Sequence, residues 1–463
     1  MNSTPTALVT NRSPIDLLFT PDFTADELRE RRQRIAEMIG REAHLLIAGA
    51  PPCPAAFARV QDASFYYFCG LYVPHSYLLV EGGSGKTTLF LPPRDAMTGM
   101  AQDKLGFEDA EMIKGKLRVE HVKSTAEMTA ALANIKLIYT PFAEIEGGGA
   151  SLMEATGCAK KREAEEWDQA EPRHKRLIRL LRERVPGIKV EDAIPLIRQL
   201  RTIKSPAEIE ILRQAGQLSA NVMVEAMKAT RPGITENRLQ AVAEYVFRDQ
   251  GHAGLGYGVI AAGGKRTWDG HYFYNNQTLN EDEVVLMDCG PDLRHYTSDI
   301  ARVWPVNGAF DEWHRRLYKF IVEYHKTLLS LVRPGALPAD IYDEAARQMT
   351  ERCTYGPEEL RMMKPTLDQM IEKGVKYLNH CVGLSVHDAI NTNWRNEPLR
   401  EGVVCVMDPM VWCEPQHEYI RVEDTLVVTA DGCERLTDAA PIELNEVEAL
   451  ARISQKFGLK QNF

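Results

Sequence analysis

No stretch of this sequence stays apolar for long enough to span a bilayer, no Cys-x-x-Cys pair occurs, and Lys and Arg are outnumbered by Asp and Glu, 55 against 65. Each absence excludes something. Without a spanning run no membrane partner is expected, and the polar first twenty residues lack a basic flank followed by an apolar core, so no signal peptide is expected. The nine cysteines, at 53, 69, 158, 289, 353, 381, 405, 413 and 433, are odd in number, which suits a reduced compartment. The expected location is cytoplasmic. A formal net charge of −10, with basic residues spread along the chain, argues against nucleic acid as a partner. A phosphate loop is missing as well. In Glu81-Gly-Gly-Ser-Gly-Lys-Thr87 the first glycine of such a loop is replaced by Val80, and a hairpin turn accounts for the glycines.

What is present is the composition of a globular protein, 44% hydrophobic and 26% charged, over 463 residues. That length exceeds one ordinary core, so two domains are expected, 1–195 and 196–463, with the boundary between 190 and 204. In the first, residues 24–40 read as an amphipathic helix, 43–47 as a strand, and 76–80 and 87–91 as a hairpin; 62–70 is an aromatic cluster ending in a turn. Residues 160–185, dense in Lys, Arg and Glu, read as one long solvent-facing helix stopped by Pro186-Gly187. A second helix start follows at Ser205-Pro206, with Glu208 completing a capping box.

The second domain contains a weak internal repeat. Arg231-Pro-Gly233 stands between predicted helices 209–230 and 235–250, and Arg333-Pro-Gly335 between 310–331 and 338–352. Two similar halves sharing a curved sheet are the expectation, with a pocket where they meet. Chance recurrence of a common helix stop is the alternative.

Chemistry concentrates after the first repeat. Residues 288–302 read Asp-Cys-Gly-Pro-Asp-Leu-Arg-His-Tyr-Thr-Ser-Asp-Ile-Ala-Arg, so an apolar strand delivers Asp288 and a returning strand carries Asp299. Two close carboxylates call for a cation or for acid/base work, unless one caps a turn and the other faces water. Residues 379–388 place His380 and His387 around a glycine, 401–409 end a buried strand in Asp408, and 419–425 form an alternating strand with Tyr419, Arg421 and Glu423 on one face. Taken singly, a histidine is more often a satisfied core residue, and an Asp before Pro a turn residue. Cys289, Cys381 and Cys405 lie beside these positions but read as small buried apolar residues.

Taken together, the order Asp288, Asp299, His380, Asp408, Glu423 resembles the pita-bread metallopeptidases, most closely the aminopeptidase P and prolidase branch. The likeness extends over nearly the whole chain, including the aromatic stretch 62–70 and the junction 201–208. It implies an α+β fold, a pita-bread catalytic domain of two similar halves with a smaller α/β N-terminal domain. It implies a hydrolase that releases an N-terminal residue preceding proline, attacking with a hydroxide that bridges two divalent cations. Manganese is the usual metal, with zinc or cobalt as alternatives. Asp288, Asp299, His380, Asp408 and Glu423 would be the metal ligands. His271, in Gly-His-Tyr-Phe-Tyr-Asn-Asn, matches the histidine that contacts substrate, His387 the one that stabilises the tetrahedral intermediate, and Arg421 the arginine behind the ligands; Glu423 would also handle the proton. Partners would be short peptides with proline second, and a homodimer or homotetramer is implied.

Two positions depart from the family pattern. Asp408 stands where the family has Glu, and Lys376 where the branch has a further histidine. Together with the loop residues Glu414, His417 and Glu418, they leave room for a creatinase-like C–N hydrolase or lyase, or for a metal-poor, non-catalytic homologue.

Overall fold

The structure is a computed structural model that describes residues 13, 15–52, 61–95, 104–147, 149–250, 254–352, 380–388, 396–413 and 417–453. By their contacts these residues form two compact units, one from 13–202 with His387 and Asp388, the other from 203 onward. Among the described residues no helix is long and apolar enough to cross a membrane.

The first unit is built on a six-stranded mixed sheet. Ala43–Ala48 lies at its middle, antiparallel to Tyr77–Glu81 and parallel to Leu137–Thr140. Thr87–Leu91 and His121–Ser124 extend one side, and Lys189–Asp192 the other. The helix Ala25–Ile39 starts where Thr24 accepts the N–H of Glu27, 3.1 Å away. Its Arg31 and Arg32 are buried because they end a second helix: their guanidinium groups donate to the carbonyls of Tyr67 (3.0 Å) and Phe68 (2.9 Å). That second helix, Ala63–Cys69, is the aromatic stretch 62–70, capped by Asp62 and closed by Gly70 at φ 63°.

One expectation is corrected here. Residues 160–185 do not form one helix but belong to two, Leu152–Ala164 and Arg173–Arg184. Pro172 explains the break, since it lacks an N–H and its ring would clash inside a helix.

The second unit is visibly duplicated. Helices Pro206–Ala229 and Glu236–Asp249 flank the first Arg-Pro-Gly turn, and Glu312–Leu331 and Pro338–Arg352 the second. Gly233 and Gly335 both take φ 85°, a left-handed conformation that favours glycine. Each turn then receives the same pair of backbone bonds. Gly233 N–H donates to Leu279 O (2.9 Å) and Leu279 N–H to Ile234 O (2.8 Å); Gly335 N–H donates to Leu399 O (2.8 Å) and Leu399 N–H to Ala336 O (2.8 Å). From each leucine the chain enters a buried strand, Val284–Asp288 or Val404–Met407, and reaches an acid at the same remove, Asp288 or Asp408.

The single curved sheet resolves into two antiparallel ladders. Ile260–Gly263, Val284–Asp288 and Ala301–Pro305 form one, and Val404–Met407, Asp424–Val428 and Cys433–Arg435 the other. An antiparallel bridge between Ala301 and Glu423 joins them, with N–H to O distances of 3.3 and 3.0 Å. The expected alternating strand 419–425 is thus two, Glu418–Arg421 and Asp424–Val428, parted at the bridge. Packing behind the ladders is apolar, and Trp304 satisfies its one donor on Thr230 Oγ1 at 2.8 Å.

Candidate active site

The bridge between the ladders fixes the site. Glu423 sits on it, and Asp288 lies opposite Ala301 at the end of the strand Val284–Asp288. Asp299 lies two residues before the strand Ala301–Pro305 begins rather than on it. Its backbone is clamped there by Thr425, whose hydroxyl accepts from Asp299 N–H (2.8 Å) and donates to Asp299 O (2.7 Å). His380 arrives from the second half, its carbonyl accepting from Val406 N–H at 3.1 Å.

Asp299, His380 and Glu423 each present a ligand atom within 4.8 Å of the other two. His380 Nε2 stands 3.5 Å from Asp299 Oδ2. Asp288 and Asp408 join them through Arg421, which donates to Asp288 and lies 3.4 Å from Asp408 Oδ2 and 3.6 Å from Glu423 Oε2. All five proposed ligands are therefore brought into one neighbourhood.

Tyr257 belongs to the same network and was not anticipated. Its hydroxyl lies 2.7 Å from Asp288 Oδ1 and 2.6 Å from Asp299 Oδ1. The ring reaches this position because residue 290 is glycine: a Cβ there would fall 2.0 Å from Ser298 O and 2.7 Å from the Tyr257 ring. A signal existed in the run Gly254-Leu-Gly-Tyr-Gly258, whose small neighbours let one large side chain approach other backbone.

The electrostatics are unbalanced. Burial, the largest cause, pushes Asp288 up to about 7 and Asp408 up to about 6, with Arg421 pulling both down. Asp299 is raised for the same reason, and Glu423 stands well above the carboxylate range through burial and the neighbouring Asp299 and Asp408. Burial also lifts the Tyr257 hydroxyl well above its ordinary value, so it remains a donor. Both carboxylate oxygens of Glu423 and Oδ1 of Asp408 are buried without a hydrogen-bond partner. One guanidinium among four carboxylates leaves negative charge and orphaned acceptors in a desolvated site, which fits divalent cations.

The remaining candidates among the described residues do not belong to the group of converging ligand atoms. His271 is exposed, its ring parallel to that of Phe273 with centroids 6.1 Å apart. His387 is half-buried on a turn whose next residue, Asp388, accepts from Arg201. Lys376 and Glu414 lie outside the described residues. His417 stacks on Trp268 at 4.4 Å and Glu418 Oε2 lies 3.1 Å from His314 Nε2, and neither belongs to the group of converging ligand atoms. Cys289 and Cys405 are buried free thiols, and neither belongs to the group of converging ligand atoms formed by Asp299, His380 and Glu423.

A duplicated helix and strand unit closing on buried carboxylates and an imidazole defines a metal-dependent hydrolase of pita-bread architecture. The sequence pattern of Metallopeptidase family M24 matches residues 210–430, and that of Aminopeptidase P, N-terminal domain, matches 28–138. The chain belongs to the aminopeptidase P branch of that metallopeptidase family. It is 29% identical to Xaa-Pro aminopeptidase 3 of Rattus norvegicus over 93% of this chain and 87% of that protein. It is 26% identical to Xaa-Pro aminopeptidase of Escherichia coli over 94% of this chain and 99% of the relative. The solved structure of aminopeptidase P from E. coli with the inhibitor Pro-Leu superposes with a TM-score of 0.75 at 25% identity, covering 94% of this chain and 99% of that one.

Proposed function

We propose that this chain hydrolyses the peptide bond between an N-terminal residue and a following proline. The observation that carries the reading is Glu423, buried with neither carboxylate oxygen hydrogen-bonded, at the meeting point of Asp299 and His380 in a chain similar to Xaa-Pro aminopeptidases. Asp288, Asp299, His380, Asp408 and Glu423 would hold two divalent cations. Manganese suits an oxygen-rich donor set with a single imidazole; zinc and cobalt are the competing assignments. When bound, such cations supply Lewis-acid polarisation of the scissile carbonyl and acidify water at neutral pH.

The chain's own residues do the rest. Glu423 accepts the proton released by the attacking water and returns it to the proline nitrogen, which has no N–H of its own and must be protonated to leave. Tyr257 and Arg421 hold Asp288, and Tyr257 holds Asp299, so the carboxylates keep their orientation during turnover. The roles of His271, contacting the peptide, and of His387, steadying the developing oxyanion, rest on their sequence motifs. We assign a tripeptide or longer substrate over a dipeptide, and a homodimer or homotetramer in the cytoplasm. The branch resemblance supports the assembly, and the odd number of cysteines in the sequence supports the location.

The test is cleavage of Gly-Pro and Ala-Pro-Ala by chelator-stripped protein with and without added manganese. Manganese-dependent release of the first residue from the tripeptide is expected. No release from either peptide, with cations bound, would overturn the peptidase reading.

A further inference from the structure

Seven large apolar side chains among the described residues are exposed, and two of them, Phe273 (51%) and Tyr274 (74%), are consecutive. They stand on a rigid segment. Tyr272 before them is buried and donates its hydroxyl to Glu236 Oε2 at 3.0 Å. Asn275 after them is buried in a left-handed conformation, φ 48°, accepting from Ala261 N–H (2.9 Å) and donating to Val259 O (2.8 Å) and Gln240 Oε1 (3.0 Å). Two anchored residues thus bracket two rings held out to solvent. A loop that needed only to face water would carry polar side chains there, and a fixed ring binds an apolar partner with little further loss of freedom.

Phe273 is connected to the carboxylates through the segment that carries Tyr257. Phe273 packs over Gly258, where a Cβ would come within 2.9 Å of its Cδ1. Gly258 follows Tyr257, whose hydroxyl reaches Asp288 and Asp299. His271 lies parallel to Phe273, at an interplanar angle of 6°. In an Xaa-Pro substrate the scissile bond is flanked by the first residue and proline. Proline is common to every substrate, so a selective surface here acts on the first side chain.

We propose that Phe273, with Tyr274 beside it, forms an aromatic shelf that takes the side chain of the substrate's N-terminal residue, so that bulky apolar residues before proline are preferred over glycine. This rests on the Xaa-Pro reading of the site. The experiment is a series on manganese-loaded protein: Gly-Pro-Ala, Ala-Pro-Ala, Leu-Pro-Ala and Phe-Pro-Ala, with Ala-Pro-Phe as control. In the unmodified chain kcat/KM is expected to rise about tenfold from Gly to Phe at the first position, mostly through KM, the size of an aromatic contact. Phe273→Ala should compress that ratio to under about threefold, Phe273→Leu should leave it intermediate, and Tyr274→Ala should lower it less. Equal rates for Gly-Pro-Ala and Phe-Pro-Ala, an undiminished ratio in Phe273→Ala, or a preference that appears only for Ala-Pro-Phe would overturn the shelf. Cleavage of Gly-Pro-Ala separates that outcome from failure of the peptidase reading, in which no peptide is cut and the shelf falls with it.

Discussion

Glu423 and Asp424 are consecutive, both are buried, and their environments are opposite. Glu423 faces the carboxylate cluster and is raised well above the ordinary range. Asp424, turned to the other side of the strand, is held below it. Burial pushes Asp424 up as well, but the neighbouring guanidinium groups of Arg302 and Arg435 help to outweigh it. Its Oδ1 accepts from Arg302 Nη2 (2.7 Å) and Thr437 Oγ1 (2.5 Å), while Oδ2 lies 3.2 Å from His325 Nε2 and 3.5 Å from Arg435 Nη1. Arg302 also donates to the carbonyls of Glu423 (2.6 Å) and Ala440 (3.1 Å). One face of the strand is therefore closed within the protein and the other is left open for a ligand. Asp424 Oδ2 receives no hydrogen bond, as neither oxygen of Glu423 does, but Asp424 is one acid beside two arginines whereas Glu423 is one of four carboxylates beside a single arginine; the unbalanced side marks function and the balanced side architecture.

The largest expected break of this contrast is at Asp299. Replacing it with Asn removes a negative charge from the open face while keeping its shape. Manganese-dependent cleavage of Ala-Pro-Ala should fall by about three orders of magnitude or more, with metal analysis showing fewer ions per chain. Near-normal turnover would rule out the two-cation assignment. On the closed face the loss should be structural instead. Asp424→Asn leaves Arg302 buried without its counter-charge, which costs about 3–5 kcal/mol in urea unfolding. An unchanged midpoint would mean that the two faces are equivalent.

How far the sequence showed this difference depends on the residue. The proposed ligands drew notice because Asp288 and Asp408 each end a buried apolar run, where a carboxylate demands an explanation. Asp299, His380 and Glu423 followed from their order along the chain. Tyr257 was only faintly readable: its glycine-rich run marks a close approach, but its partners lie 31 and 42 residues away. Nor was the closed face, because nothing local distinguishes Asp424 from Glu423; strand alternation at the Ala301 bridge decides which way each points. The shared bond pattern of Leu279 and Leu399 lay behind the Arg-Pro-Gly repeat but needed the turns to be seen in space. The helix break at Pro172 was visible in the residues, and the charge pattern of 160–185 masked it.

His325 sharpens the comparison through pH. It is wholly buried on the closed face, and burial, with Arg302, Arg435 and Lys326, holds its imidazole down to about 4 against the pull of Asp424. A histidine with a depressed folded pKa is neutral in the native state, whereas the unfolded chain takes up a proton near its ordinary value. The stability is therefore full above the unfolded pKa and is lost as pH falls through the folded pKa. Compared with His325→Gln, which does not titrate, the unmodified chain should lose up to about 3 kcal/mol between roughly pH 7 and pH 4. A difference that stays constant across that window would show the folded and unfolded imidazoles to titrate alike, and a relative gain in stability as pH falls would show the imidazole to be charged when folded.

The smallest expected effect is the most diagnostic, because its sign should reverse. Glu423→Gln keeps the side chain's shape and removes one of the charges that the open face cannot balance. In chelator-stripped protein at about pH 8 the change should raise stability by roughly 1 kcal/mol, since relief of desolvation and of repulsion from Asp299 and Asp408 outweighs the lost attraction to Arg421 at 3.6 Å. With saturating manganese the same change should lower the melting temperature relative to the unmodified chain, because a ligand that binds only the folded state stabilises it in proportion to its affinity. Asp424→Asn, by contrast, should destabilise the protein under both conditions. Were Glu423→Gln to destabilise the stripped protein as Asp424→Asn does, the open face would be no less satisfied than the closed one, and its orphaned oxygens would carry no argument for a cation.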